Sequence, residues 1–222
     1  MIITLTPNPS VDRTIAITTL RRGEVQRATD TRMDAGGKGI NVSRALAANG
    51  GRTLAILPIG GGHGRMMADL LAEAGTPVRQ VPIRDGIRAN VALVEPDGTT
   101  TKVNELGPEL TPDEVEALLS AVAATNGDRP SWVVGCGSLP RGMATDVYAD
   151  LVRRGHAAGV KVAVDASEAP LSAAIPAGPD LIKPNREELA ELVGRELPTL
   201  ADVVAAARGL IAGGVGTVLV SL

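Results

Sequence analysis

Residues 35–43 read Ala-Gly-Gly-Lys-Gly-Ile-Asn-Val-Ser and lead directly into an apolar helical pattern, which is predicted over Gly39–Ala48. Glycines let a ligand approach the backbone closely, and the first turn of a helix presents unpaired amide groups to an anion. One apolar run precedes this segment at Ile2–Thr6, and another follows it at Leu54–Ile59. The arrangement predicts a ligand-binding turn between core strands and a helix.

Two common nucleotide-binding patterns do not fit this sequence. A Walker A loop requires Ser or Thr after its Gly-Lys pair, whereas Gly39 follows Lys38 here. Neither Gly60–Gly64 nor Gly135–Gly137 continues as the G-x-G-x-x-G fingerprint of dinucleotide-binding proteins. The sequence therefore disfavours a P-loop enzyme and a Rossmann dehydrogenase.

Short apolar runs alternate with segments of helical period along the whole chain, which is typical of an open, mostly parallel α/β sheet with helices on both faces. The predicted core strands are Ile2–Thr6, Leu54–Ile59, Trp132–Gly135, Val160–Asp165, Leu181–Lys183 and Val218–Ser221. The predicted helices are Gly39–Ala48, Arg65–Ala74, Pro112–Ala124, Thr145–Ala158, Arg186–Val193 and Leu200–Ala212. We expect one α/β domain over residues 1–222.

Two segments, at about 12–34 and 88–105, are polar, alternating and β-prone, and the second has the turn Pro96-Asp97-Gly98 at its centre. We expect them to form strands outside the main sheet. Ligands of open α/β sheets bind beyond the carboxyl ends of the strands, so such strands would make a small β lid.

Composition narrows the class of protein. The chain has 222 residues, of which 44% are hydrophobic, and a net charge of -3. This balance provides no broad basic surface for nucleic acid, and the longest apolar runs are too short to cross a membrane. Cys136 is the single cysteine, and no secretory signal begins the sequence. These features predict a cytoplasmic protein whose partners are small molecules or copies of itself.

Individual side chains allow more than one interpretation. Asp12 follows the first predicted strand and could hold a ligand hydroxyl or cap a turn. Lys102 in the second lid segment is read as a solvated strand residue. The remaining candidates match no metal or nucleophile pattern and are read as structural or surface residues: His63, His156, Cys136, Met66 and Met67.

The run from Gly36 through Asn41 and Ser43 to Gly50 and Gly60 resembles the first signature of the ribokinase/PfkB carbohydrate kinases. Further motifs follow in family order: Arg88-x-Asn90, Gly137-Ser138-Leu139-Pro140, Val164-Asp165 and Lys183-Pro184-Asn185-x-x-Glu188. The resemblance covers the whole chain. It implies the ribokinase-like fold and a kinase that uses ATP and Mg²⁺.

Three segments are most similar to the branch of the family that phosphorylates fructose 1-phosphate: 6–14 (TPNPSVDRT), 95–108 (EPDGTTTKVNELGP) and 137–142 (GSLPRG). The resemblance implies ATP-dependent phosphorylation of the 6-hydroxyl of fructose 1-phosphate to give fructose 1,6-bisphosphate. Tagatose 6-phosphate and fructose 6-phosphate are the alternative substrates. A non-catalytic module that binds a sugar phosphate or dimerises is the alternative from another class, and the lid is the expected surface for a homodimer.

The resemblance also implies roles for individual residues. Those that would hold the sugar are Asp12, Gly36, Gly37, Lys38 and Asn41, and those that would hold its phosphate are Arg88, Asn90, Ser138 and Arg141. The residues on the nucleotide side would be Asp165, Lys183, Asn185 and Glu188, with Mg²⁺ contacted through water near Asp165 and Glu188. Asn185 and Glu188 also have the spacing of an ordinary capping box, and both roles are compatible.

The second signature of the family, a Gly-Ala-Gly-Asp stretch that supplies the anion hole and the catalytic base, does not occur in these 222 residues. We therefore expect the base to lie beyond Leu222. The expectation that follows is a kinase domain that lacks its C-terminal part and is inactive in isolation.

Overall fold

The computed structural model describes residues 1–124 and 129–222. It contains ten strands: β1 Ile2–Leu5, β2 Ser10–Ala16, β3 Asp30–Gly36, β4 Thr53–Ile59, β5 Val78–Pro82, β6 Arg88–Val94, β7 Thr100–Asn104, β8 Trp132–Cys136, β9 Lys161–Asp165 and β10 Leu181–Ile182. The helices are α1 Lys38–Ala48, α2 Gly61–Glu73, α3 Pro112–Ala123, α4 Val147–Ala157, α5 Glu168–Ala174, α6 Arg186–Val193 and α7 Leu200–Ala212. None of these helices is long and apolar enough to cross a membrane.

Six strands form one parallel sheet in the order β10-β9-β8-β1-β4-β5. The chain builds outward from β1 in both directions, because β4 pairs with one edge of β1 and β8 with the other. Ile3 and Leu5 of β1 are fully buried. Helices flank this sheet, which confirms the predicted open α/β fold. The strand order reverses at β1, and open α/β sheets bind ligands beyond the carboxyl ends of the strands at such a reversal.

Four strands form a separate mixed sheet in the order β3-β2-β6-β7, which we call the second sheet. The central pair β2 and β6 is parallel, and its register places Ser10 opposite Arg88 and Asp12 opposite Asn90. The outer pairs are antiparallel. The prediction of strands outside the main sheet is therefore confirmed, whereas their role as a lid stays a prediction.

The predicted strand at Val218–Ser221 is wrong. This segment runs parallel to β10 but forms only two isolated bridges, Ile182 with Val218 and Asn185 with Ser221. Ser221 N–H donates to the carbonyl of Pro184, but Pro184 has no N–H to return a bond to the neighbouring chain. The proline therefore interrupts the ladder that the apolar pattern predicted.

Other differences between the predicted and the observed elements occur where the hydrophobic pattern of the sequence is weak. Helix α2 begins at Gly61, four residues before the predicted start, and a Cβ on Gly64 would lie 3.1 Å from the side chain of Ile59. These glycines lower helix propensity but permit close packing on β4. Neither β5, an edge strand that ends in proline, nor the short helix α5 has a sequence pattern strong enough to predict it.

The first residue of α5 has an unfavourable backbone conformation. Glu168 has φ +55°, and it is the single non-glycine residue with positive φ in residues 1–124 and 129–222. A side chain in this region costs roughly 1–2 kcal/mol because Cβ crowds the following carbonyl oxygen. Glycine avoids this crowding, although it loses more backbone entropy on folding.

We therefore expect Glu168→Gly to raise the free energy of unfolding by about 0.5–1 kcal/mol in urea denaturation. Glu168→Ala is the matched control, since it removes the carboxylate and keeps Cβ, and it should stay within about 0.5 kcal/mol of the unchanged protein. Equal stabilisation by both variants would mean that the carboxylate, and not the backbone conformation, is unfavourable.

Candidate functional site

Several of the predicted site residues lie at the carboxyl edge of the parallel sheet. Strand β1 ends before Thr6 and the segment Pro7–Pro9, which leads into the second sheet. Ser138 follows β8, Asp165 ends β9 and Lys183 follows β10. Parallel strands present all their carboxyl ends at one edge, so residues distant in sequence meet there.

Asp12 lies in β2 of the second sheet, and its carboxylate is hydrogen-bonded to β2 and β6. Its Oδ1 accepts hydrogen bonds from the hydroxyl of Ser10 at 2.6 Å and from Nδ2 of Asn90 at 3.0 Å. A Cβ built on Gly36 would overlap the carboxylate of Asp12, so a larger residue at position 36 would have to displace that carboxylate. The second carboxylate oxygen is left for another donor, and a sugar hydroxyl is of that kind.

Arg88 begins β6 and is half-buried beside the same carboxylate. Nη1 donates to the carbonyl of Glu105 at 3.0 Å and Nη2 to the carbonyl of Asn8 at 3.3 Å. Burial lowers the pKa of the Arg88 guanidinium, while the carboxylates of Asp12 and Glu105 act to raise it. A guanidinium that remains charged despite this desolvation gains from an anion with phosphate geometry.

Asn8 is a site residue that the sequence analysis did not single out, although it lies inside the quoted segment 6–14. It is 6% exposed, and its Nδ2 donates to the hydroxyl of Ser138 at 3.3 Å. Its backbone carbonyl also accepts a hydrogen bond from Nη2 of Arg88. Asn8 therefore connects Arg88 and Ser138, two of the four residues that the family resemblance assigns to the substrate phosphate.

Unpartnered polar atoms are concentrated at this place. Among the residues that the structure describes, five buried side-chain atoms have no hydrogen-bond partner in the protein: Thr6 Oγ1, Asn8 Oδ1, Arg88 Nε, Asn90 Oδ1 and Arg186 Nε. Four of the five belong to the end of β1, the connection to β2, or strand β6. Buried polar groups are nearly always paired, so a cluster of exceptions indicates a ligand-binding site. The cluster offers acceptors and a cationic donor.

A second group of charges lies where β9 and β10 end. Nζ of Lys38 is 3.0 Å from Oδ1 of Asp165, and Nζ of Lys183 is 3.8 Å from the same oxygen. Lys38 was expected on the sugar side of the site and Asp165 on the nucleotide side. Their ion pair shows that these two residues are adjacent. The three side chains carry a net charge of +1, which suits an anionic group.

Asn185 and Glu188 form the capping box of α6. Glu188 N–H donates to Oδ1 of Asn185 at 2.7 Å, and Oε2 of Glu188 accepts from Asn185 N–H at 2.8 Å. No group of three or more His, Cys, Asp or Glu side chains able to hold a metal ion occurs in the described ranges. Mg²⁺ commonly keeps several waters and takes one or two carboxylates with substrate phosphates. Asp165 and Glu188, both already bonded within the protein, suit contact through water.

Other residues considered from the sequence do not belong to either of these two groups of side chains. Arg141 is exposed and lies 3.8 Å from the carboxylate of Glu109, and Asn41 is exposed on α1. Lys102 is exposed in β7. Burial raises the pKa of the Cys136 thiol to about 12, which agrees with a structural role.

Comparison with known proteins identifies the class. The pfkB family of carbohydrate kinases matches residues 6–222, and the chain belongs to this family. Its members are phosphotransferases, and the open parallel sheet and the site at its carboxyl edge agree with that class. The chain is therefore a phosphotransferase of the carbohydrate kinase type.

Similar proteins include two 1-phosphofructokinases, from Xanthomonas campestris pv. campestris (38% identical, 99% of this chain) and Rhodobacter capsulatus (34% identical, 100% of this chain). The chain spans 70% of the length of each. An ATP-dependent 6-phosphofructokinase isozyme 2 from Mycobacterium tuberculosis is 37% identical over 99% of this chain, which spans 64% of that protein.

Among solved structures, phosphofructokinase-2 from Escherichia coli in complex with fructose-6-phosphate superimposes with a TM-score of 0.94. It is 35% identical, and the match covers 100% of this chain and 73% of that one. A tetrameric inhibited form of the same enzyme matches 96% of this chain with a TM-score of 0.89.

Asp12 could either hold a ligand hydroxyl or cap a turn, and a single substitution distinguishes these two roles. If Asp12 holds a sugar hydroxyl, Asp12→Ala should weaken fructose 1-phosphate binding at least about 10-fold in calorimetry, because a hydrogen bond to a charged group contributes roughly 1.5–3 kcal/mol. The melting temperature should change little. Unchanged affinity together with a large loss of thermal stability would instead favour a role in the turn.

Proposed function

We propose that the protein transfers the γ-phosphoryl group of ATP to the 6-hydroxyl of fructose 1-phosphate and forms fructose 1,6-bisphosphate. The observation that carries this proposal is the cluster of unpartnered buried atoms on Thr6, Asn8, Arg88 and Asn90. A phosphorylated sugar supplies phosphate oxygens for the guanidinium and hydroxyl groups for the amide oxygens. Asp12, beside this cluster, accepts a further hydroxyl.

Fructose 1-phosphate is favoured over other sugar phosphates by two observations. The segments 6–14, 95–108 and 137–142 resemble enzymes of that specificity. Two similar proteins at 34% and 38% identity are 1-phosphofructokinases. Fructose 6-phosphate is the second candidate, because similar proteins from Mycobacterium tuberculosis and Escherichia coli are 6-phosphofructokinases. Tagatose 6-phosphate remains an alternative acceptor from the sequence resemblance.

ATP would lie on the other side of the site, towards β9, β10 and the start of α6. The pair Lys38 and Lys183 around Asp165 carries positive charge where phosphates would pass from nucleotide to sugar. Phosphoryl transfer depends mostly on alignment and on charge neutralisation, which these ammonium groups can provide. Mg²⁺, contacted through water by Asp165 and Glu188, would supply further neutralisation of the ATP phosphates.

The general base is proposed to lie outside residues 1–222. The three carboxylates predicted for the site already have partners: Asp12 bonds to Ser10 and Asn90, Asp165 pairs with two lysines, and Glu188 caps α6. A base must lie within hydrogen-bond reach of the accepting hydroxyl, and none of these side chains is assigned to that position.

We therefore expect the 222-residue chain to bind the sugar phosphate but to turn it over slowly, since positioned proton transfer contributes about 10²- to 10⁴-fold. A coupled assay of ADP release measures this turnover against a full-length 1-phosphofructokinase. Comparable rates that are abolished by Asp12→Asn or Asp165→Asn would show that one of these carboxylates is the base.

The second sheet is proposed to act as a lid and to contact a second copy of the chain. Every residue of β7 is exposed, and Met33 and Val103 present apolar surface on the strands β3 and β7 at its two edges. Exposed edge strands tend to pair with another chain. A homodimer through this lid and a cytoplasmic location stay predictions.

The role of Arg88 can be tested by removing its charge. Arg88→Ala should weaken binding of fructose 1-phosphate by roughly 1.5–3 kcal/mol, about 10- to 150-fold, and leave ATP binding within about twofold. Arg88→Lys should restore only part of the affinity, because a lysine cannot form the planar bidentate contact.

Arg84→Ala is the control for this experiment, since Arg84 is an exposed arginine paired with Asp85 near the same strand. It should leave both affinities unchanged. Equal weakening for sugar phosphate and ATP by Arg88→Ala, or no weakening for either, would contradict the assignment of Arg88 to the substrate phosphate.

A further inference from the structure

Asn8 is held rigidly at the junction of the two sheets. It lies between Pro7 and Pro9 in the connection from β1 to β2, and all peptide bonds in the described residues are trans. Each proline fixes its own φ, and the residue before a proline is restricted to extended conformations. The two prolines therefore restrict the backbone from which the Asn8 side chain projects.

Neighbouring residues contact Asn8 from three directions. Nδ2 of its side chain donates to the hydroxyl of Ser138, and its backbone carbonyl accepts from Nη2 of Arg88. On a third side lies Gly107, which has φ +86° and where a Cβ would overlap Oδ1 of Asn8. Contacts from β6, the loop after β8 and the loop after β7 thus converge on one residue.

Oδ1 of Asn8 is buried and has no hydrogen-bond partner in the protein. Leaving a buried acceptor unpaired destabilises the folded protein, and such a group can be explained where a ligand supplies the missing donor. Because Asn8 contacts both Arg88 and Ser138, that donor should belong to the part of the ligand next to its phosphate.

We propose that Asn8 determines which sugar phosphate the site prefers, by accepting a hydrogen bond from a hydroxyl group on the carbon next to the phosphorylated carbon. This inference rests on the proposed function. Furanose fructose 1-phosphate has such a group, the 2-hydroxyl beside C1. Furanose fructose 6-phosphate has only the ring oxygen on C5, beside C6, and a ring oxygen cannot donate. Asn8 Oδ1 therefore selects fructose 1-phosphate by chemistry that fructose 6-phosphate lacks.

The test is a cycle that deletes the acceptor in the protein and the donor in the ligand. Calorimetry measures the affinity of the 222-residue chain and of Asn8→Ala for fructose 1-phosphate, fructose 6-phosphate and 2,5-anhydromannitol 1-phosphate, which lacks the 2-hydroxyl. For the unchanged protein, loss of the 2-hydroxyl should weaken binding about 10-fold, as expected for one hydrogen bond. For Asn8→Ala the same loss should change binding by less than about twofold.

Asn8→Ala should also abolish most of the preference for fructose 1-phosphate over fructose 6-phosphate. Thr53→Val is the control, because it also removes a buried polar group, a hydroxyl that is hydrogen-bonded to Ser43 at 2.8 Å and lies at the start of β4, away from the carboxyl ends of the strands. It should leave all three affinities unchanged. If Asn8→Ala does not fold, the ligand pair measured on the unchanged protein still tests the proposal.

Equal affinity of the unchanged protein for fructose 1-phosphate and the anhydromannitol analogue would overturn the role of Asn8. So would an Asn8→Ala variant that weakens fructose 1-phosphate and fructose 6-phosphate to the same extent. A protein that binds neither fructose phosphate would contradict the proposed function itself, and it is distinguished by the first titration in the series.

Discussion

The pairing of β1 with both β4 and β8 is the constraint on which the rest of the molecule depends. It places β1 inside the parallel sheet and buries Ile3 and Leu5 completely. Later strands are added on both sides of β1, so the order of strands reverses there. The crevice at the end of β1 is a consequence of that reversal. Thr6 and Asn8 lie there because they directly follow the strand.

The junction between the two sheets supplies the polar side chains of the candidate site. Parallel pairing of β2 with β6 places Asp12 opposite Asn90 and Ser10 opposite Arg88, so a carboxylate, an amide and a guanidinium share one small region. Gly36 on the neighbouring strand leaves room for the carboxylate. The polar atoms that remain unpartnered here reduce stability and favour a ligand that is both anionic and rich in hydroxyl groups.

Much of this arrangement could be predicted from the sequence, because it depends on local patterns. Asp12, Arg88 and Asn90 stand in recognisable motifs, and apolar runs identified β1 and four of the other five strands of the parallel sheet, all except the edge strand β5. Asn8 could not be identified in this way, since its importance comes from contacts with residues 80 and 130 positions away. The failure at Val218–Ser221 has the same origin, because Pro184 on the partner segment interrupts the ladder. Local propensity cannot reveal either effect.

The most direct measurement is a crystal structure of the protein with fructose 1-phosphate bound. The phosphate should contact Arg88 and Ser138, and sugar hydroxyl groups should reach the carboxylate of Asp12 and the amide oxygens of Asn8 and Asn90. A sugar phosphate bound instead with its phosphate between Lys38 and Lys183, and with Arg88 and Asn8 untouched, would contradict the assignment of the polar cluster at the end of β1 to the substrate.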